Sequence, residues 1–304
     1  MNYENFILEV KSRVECLCPD SSVSVERVVK NNALTLDGIV IRREGECLTP
    51  TIYLNGMYEE YCSGKTVDAI VEEIIDIDKN QRLKFEVDPD YFCNFEQVKG
   101  NIFAKLINFD KNEELLNRLP HRKFLDLAII YYGVFDGFSD GVGMWNITNE
   151  VLKGYSIDED ALYQNAMNNT IKKQPYFIKT MMELLGEIMP EEEYSQYVDE
   201  DMVAMRRTPM YVMSNEDKIF GAITVLYPGV LNDFYEKHGD FYVLPSSVHE
   251  VILIPVSEGI EEKELQSMVV EVNRTALKTE EFLSDNVYIY EGDKNKLRKL
   301  IKLT

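Results

Sequence analysis

The run Ser246-Ser247-Val248-His249-Glu250 places two hydroxyls, an imidazole and a carboxylate within five residues. These are the parts of a nucleophile, a base and a group that orients the base. Their spacing does not assemble them. On a strand, Ser247 and His249 share one face and Glu250 points to the other. A triad would need a bend, or an acid from elsewhere in the chain. Neither serine sits in a G-x-S-x-G elbow. The preferred reading is a turn between two strands, with the serines bonded to local backbone and His249 satisfying one hydrogen bond where the next strand begins. Ser246, Ser247, His249 and Glu250 are the candidate catalytic residues of the alternative, a hydrolase or transferase.

A second constellation is Asp126 with His121. Asp126 falls in an apolar run, where an unpaired carboxylate is costly. His121, Arg122 and Lys123 precede it, and a buried structural ion pair between Asp126 and His121 is expected if the fold brings them round. His238 follows Lys237 near a predicted helix end, a favourable place for a cation. The loop Asp136 to Gly143 contains Gly141-x-Gly143 but no third glycine at dinucleotide spacing, and Lys153 lies too far on for a P-loop. Asp136 and Asp140 are too few for a calcium loop, so a strand-connecting turn is expected. Trp145, the only tryptophan, has Tyr131, Tyr132 and Phe135 in the preceding strand. Cross-strand packing and a ligand-stacking surface both fit that spacing. Met181, Met182, Met202, Met205, Met210 and Met213 suit either an adaptable partner surface or core filler.

The cysteines are Cys16, Cys18, Cys47, Cys62 and Cys93. Their number is odd, and no histidine precedes position 121 to complete a zinc set with Cys16-x-Cys18. Free thiols in a reducing compartment are expected, with no metal and no cofactor.

Hydrophobic periodicity supplies the elements that must position these groups. Residues 3–17 read as a helix. Val23 to Val29 and Leu34 to Ile41 read as strands around an Asn31-Asn32 turn, followed by a short strand Thr51 to Leu54 and a helix capped by Thr66. Together 1–98 make a small α+β module. A mixed α/β unit over 99–190 is built on strand Ile102 to Ile107 and a strand buried on both faces over 125–135. A helix is predicted from the Ser156-Ile157-Asp158-Glu159 capping box, and another from Pro175. Residues 191–207 read as an acidic, methionine-rich connector. A β-β-α-β-β-α unit with a basic tail occupies 208–304. Its predicted strands are Tyr211 to Met213, Ile219 to Leu226, Phe241 to Leu244 and Val248 to Val256, then a helix and a last strand Val287 to Tyr290. The tail from Asp293 is expected to form a short helix or to fray. The fold class is therefore α+β (mixed α/β), a small N-terminal module followed by a larger mixed-sheet body with helices packed on it.

The chain has 304 residues, 32 basic against 53 acidic, for a net charge of −21, with 45% hydrophobic and 11% aromatic residues. That composition suits a packed core and excludes an acidic disordered tail. A surface this negative is repelled by a phosphate backbone, so no direct nucleic-acid binding is expected. No window approaches the roughly 18 apolar residues of a membrane span, and the N-terminus lacks a basic start and an apolar core. A cytoplasmic protein with no membrane contact is expected.

The stretch Val243 to Pro255, with its Leu244-Pro245-Ser246-Ser247-Val248-His249-Glu250 core, resembles an uncharacterised bacterial family filed as a domain of unknown function. The blocks Leu119-Pro120-His121-Arg122-Lys123-Phe124-Leu125-Asp126-Leu127-Ala128 and Leu283-Ser284-Asp285-Asn286-Val287-Tyr288 agree, as do Leu226-Tyr227-Pro228-Gly229 and Val272-Asn273. The resemblance spans nearly the whole chain. It implies an intracellular bacterial protein with a mixed α/β body and carries no catalytic residues over. Function is ranked accordingly. First comes a non-catalytic binding or regulatory protein, with a basic protein as a fitting partner. Second is a hydrolase or transferase at Ser247 and His249. Third is an acidic nucleic-acid mimic that blocks a basic groove.

Overall fold

The computed structural model describes residues 1–44, 49–80, 89–135, 142–189 and 209–300, and these build a mixed α+β fold in which every described strand pairing is antiparallel. The helix Tyr3–Leu17 begins where the Asn2 side chain accepts the Asn5 N–H. Phe6, Val10 and Val14 recur every fourth residue and are fully buried. They pack on strands β1 (Ser21–Val29), β2 (Thr35–Arg43) and β3 (Thr51–Tyr53), and on Ile70, Val71 and Ile74 of the helix Val67–Asn80. This is a core of its own. The predicted turn lies between β1 and β2, with Asn32 in the left-handed region at φ 59°, which asparagine tolerates better than most residues.

A four-stranded sheet follows. β6 (Leu127–Phe135) is its central strand. β4 (Ile102–Asn108) lies on one side, and β5 (His121–Phe124) and β7 (Gly143–Asn146) share the other. Strand periodicity divides β4 cleanly. Ile102, Ala104 and Leu106 enter the largest core with Leu127, Ile129 and Tyr131 of β6. Phe103, Lys105 and Ile107 must then face the opposite side. That core also takes Leu162 and Ala166 from the helix Glu159–Lys173, so the helix covers one face of the sheet.

The third sheet has six strands in the order β13-β12-β10-β11-β9-β8, with β8 Tyr176–Thr180, β9 Tyr211–Asn215, β10 Phe241–Leu244, β11 Val251–Pro255, β12 Tyr288–Glu291 and β13 Lys296–Lys299. Phe241, Val243, Val251 and Leu253 point into the core shared with the four-stranded sheet. Tyr242, Leu244 and Ile254 point the other way, beneath Leu265 and Val269 of the helix Glu262–Thr275.

Three sequence expectations are corrected. Pro175 opens strand β8 rather than a helix, and the helix starts later, at Met181–Ile188, behind a Thr180–Glu183 capping box. Gly221–Leu226 is a 3₁₀ turn rather than a strand. Phe220 is left-handed there (φ 53°), and a Cβ on Gly221 would come within 2.1 Å of Ser214 Oγ and 2.5 Å of the His249 carbonyl. The stretch 221–225 is buried in that turn without strand pairing. The basic tail supplies β13, because the Ile289 and Tyr290 edge is available for pairing with Arg298 and Leu297. The connector 191–207, Cys47 and most of the glycine loop from Asp136 lie outside the described residues. Cys16, Cys18, Cys62 and Cys93 are free thiols. Among the described residues, no helix is long and apolar enough to cross a membrane.

Candidate functional site

Ser246 to Glu250 forms the link between β10 and β11. Ser247 is 2% exposed. Its hydroxyl donates to Glu250 Oε1 at 2.8 Å and accepts the His249 N–H at 2.9 Å, while the Ser247 N–H reaches the Glu250 carbonyl at 3.2 Å. These bonds close a local turn and use the hydroxyl within it. The His249 ring faces away from that hydroxyl's bonds. Its Nδ1 accepts the Phe220 N–H at 3.2 Å, and its plane stacks on the Phe220 ring at 11° with centroids 5.7 Å apart. The structure therefore separates Ser247 and Glu250, which bond each other, from His249, which joins a different group of residues. With Nδ1 accepting, the neutral ring carries its proton on Nε2.

Asp126 and His121 do not form the expected pair. The tight turn Leu125-Asp126, with Leu125 left-handed at φ 57°, carries Asp126 away from β5. The Asp126 carboxylate accepts from Ser284 Oγ at 2.6 Å, Asn286 Nδ2 at 2.8 Å and Tyr288 OH at 3.0 Å. Burial, and then the nearby carboxylate, push the Tyr288 phenol well above its ordinary range, so it remains a donor. His121 Nδ1 lies 2.9 Å from the Leu119 carbonyl, and its ring meets Phe109 edge-on. Arg122 is used elsewhere, its Nε–H shared between the two Glu159 carboxylate oxygens at 2.9 and 3.0 Å. Asp126 is thus a seam between the four-stranded sheet and the start of β12.

A cavity of about 370 Å³ opens where the three parts of the chain meet. The N-terminal module contributes Val29, Lys30 and Asn31. The four-stranded sheet contributes Lys105, Ile107, Ile130, Tyr132, Met144, Trp145 and Asn146. Phe220, Val248, His249, Glu280 and Glu281 complete the wall. Lys105 lies on the face of β4 turned from the main core, opposite Ile130 of β6. Its ammonium is held 4.1 Å from the centre of the Phe220 ring and 5.1 Å from that of Tyr132. Among the described residues, no carboxylate or hydrogen-bond acceptor reaches it. Desolvation lowers its pKa to about 8, and the charge of Lys30 pushes the same way. Lys30 itself sits 4.6 Å over the Tyr53 ring.

The aromatic wall is continuous. Tyr132 meets Phe220 edge-on at 5.2 Å, and Phe220 stacks on His249. Trp145 closes another side. It pairs with Gly133 across β6 and β7, and a Cβ on Gly133 would fall 2.1 Å from the indole. Glycine is needed for the indole to lie flat on the strand there. Of the two sequence readings for Trp145, the structure shows cross-strand packing, and it also places the ring on the cavity wall.

Asparagines bind the three parts around this cavity. Asn32 Nδ2 donates to the Thr279 and Phe282 carbonyls at 2.8 and 2.7 Å, and Asn112 Oδ1 accepts the Asn32 N–H at 2.7 Å. Asn108 Nδ2 reaches the Leu283 carbonyl at 2.9 Å. Asn31, on the cavity wall, donates to the Glu280 carbonyl at 2.7 Å and leaves its own buried Oδ1 without a partner among the described residues.

Lys105, Lys30 and Phe220 were missed in the sequence reading. The signal for Lys105 was present, a single charge in the apolar strand Ile102 to Ile107. Lys30 and Phe220 had none, because only the tertiary fold brings them to Lys105. A second cavity of about 490 Å³ lies between Phe124, Val225, Tyr227, Tyr290 and Leu297, with no charged side chain on its wall among the described residues. No cluster of three His, Cys, Asp or Glu side chains is arranged to hold a metal among the described residues.

No curated protein and no solved structure matches the chain. A family model described as a family of unknown function (DUF5688) matches residues 3–292, and the chain belongs to that family.

Proposed function

We propose that this protein binds a small anionic molecule with an aromatic body in the Lys105 cavity, and that it acts as a binding or regulatory protein. One observation carries this reading. Lys105 is a charged side chain on the wall of an aromatic-lined cavity, and among the described residues no carboxylate pairs with it, Glu280 and Glu281 standing elsewhere on that wall. Such a cation is costly to the fold, and an entering anion offers it an ion-pair partner. With a pKa of about 8, roughly nine-tenths of Lys105 is charged at pH 7. Lys30 adds a second positive charge on the same wall. Trp145 and His249 line the cavity as rings against which a planar ligand can pack. A volume of about 370 Å³ falls in the range of small-molecule sites. Ser247 supports this reading over the hydrolase, because its hydroxyl is buried and occupied by Glu250 and the His249 N–H.

Trp145 is the only tryptophan and lines the cavity, so its fluorescence reports occupancy directly. Benzoate should change that fluorescence saturably, and its neutral analogue benzamide should bind at least about tenfold more weakly, the equivalent of ~1.4 kcal/mol. The benzoate response should fade as pH rises through about 8, where Lys105 loses its charge. An unsaturable response, or equal affinity for the two compounds, would overturn the reading.

A further inference from the structure

We infer that Lys105 is a nucleophile that holds its ligand covalently, as a reversible imine with an aromatic aldehyde or ketone bearing an anionic group. The inference rests on the cavity being a ligand site and names the class of ligand more closely. A lysine attacks a carbonyl only as the free amine. Apolar burial and a neighbouring cation are the two devices that free it near neutral pH, and the cavity holds both. Tyr132 and Phe220 lie against the side chain, and Ile107, Ile130 and Lys30 line the same cavity.

The charged and titratable groups around the cavity are Lys30, Lys105, Tyr132, His249, Glu280 and Glu281. Among these, the charge of Lys30 acts with desolvation to lower the Lys105 pKa. The contrast with other lysines is sharp. Lys65 is ion-paired with Glu60 and Glu73, and Lys179 with Glu187. Both are held above the ordinary lysine range by those hydrogen bonds. They are protonated where Lys105 is half free.

The reaction needs no oxidant or reductant. The Lys105 lone pair forms a C–N bond while the carbonyl π pair moves to oxygen, and one proton passes from nitrogen to that oxygen. The remaining N–H proton and the new hydroxyl then leave as water, and C=N forms. His249, on the same cavity wall, moves these protons. Phe220 fixes its Nδ1 as an acceptor, and the Nε2 proton is what the ring offers a ligand in the cavity. Lys30 supplies the charge for the ligand's anionic group.

The test uses the full chain with 4-carboxybenzaldehyde and sodium cyanoborohydride at pH 8. Cyanoborohydride reduces an imine to a stable secondary amine, and the modified lysines are located by peptide mass spectrometry. At that pH roughly half of Lys105 is free amine, against under about a hundredth of an ordinary lysine. The Lys105 peptide should carry at least about tenfold more adduct than the Lys65 and Lys179 peptides. Excess benzoate should suppress it, and benzaldehyde should label it less. Adducts spread evenly over the lysines would overturn the inference. So would a saturable Trp145 response to benzoate with no preferred Lys105 adduct, an outcome that leaves the binding reading standing. Absence of both signals removes the two together.

Discussion

Asp126 and Lys105 each place a charge among apolar residues, and the structure treats them in opposite ways. Three donors from Ser284, Asn286 and Tyr288 surround the Asp126 carboxylate. The Lys105 ammonium has two ring faces and a cavity. A buried charge with all its partners inside the protein fixes a joint between elements. A half-buried charge with no ion-pair partner among the described residues costs stability, and an anion that enters recovers part of that cost. The first is architecture, and the second marks the candidate site.

The largest expected effect tests the architectural half. Asp126→Ala leaves two buried hydroxyl donors and the half-buried Asn286 amide without this acceptor and should cost about 3 kcal/mol in chemical denaturation. Asp126→Asn should recover part of that loss, since its carbonyl still accepts. A cost under about 1 kcal/mol for the alanine variant would place Asp126 outside the joint between the sheets.

Lys105→Met should act in the opposite direction and stabilise the protein by about 2 kcal/mol at pH 7. The sign follows from the proton count. The folded pKa of about 8 lies below the ordinary lysine value of 10.5, so between those pH values the unfolded chain binds more protons. Wild-type stability therefore rises with pH across that window, from a full penalty below about pH 8 to relief near 10.5. The advantage of the methionine variant should shrink over the same range when unfolding is measured at pH 7, 9 and 10.5. A destabilised variant with no pH dependence would make Lys105 a structural residue like Asp126.

The smallest effect concerns Ser247. Ser247→Ala should cost about 1 kcal/mol by removing one hydroxyl from the turn, and should leave the Trp145 response to benzoate unchanged. A lost response would bring the turn into the site. A preserved one confines Ser247 to the link between β10 and β11.

Much of the fold was legible where a pattern repeats locally. Phe6, Val10 and Val14 marked the first helix, and the alternating faces of β10 and β11 follow from period-two spacing. The errors fell where context outweighs pattern. Ile219 to Leu226 is apolar enough for a strand, yet a left-handed Phe220 and the tight approach of Gly221 to Ser214 fold it as a turn. The run Ser246 to Glu250 is the turn its spacing suggests, with Ser247 bonded locally and His249 Nδ1 accepting one hydrogen bond, from the Phe220 N–H. Lys105 was visible as an anomaly and was not recognised as one.

By itself, the sequence determined the α+β class, most of the helices and strands, and the presence of two charges in apolar segments. These follow from residue type and from periods of 3.6 and 2, which neighbouring residues alone specify. Only the tertiary structure decided which charge is satisfied. The partners of Asp126 lie about 160 positions further along the chain, and the cavity beside Lys105 exists only where Lys30, Phe220 and His249 converge from separate elements. The free energy of a buried charge is set by what surrounds it in space, and that neighbourhood is not local in sequence.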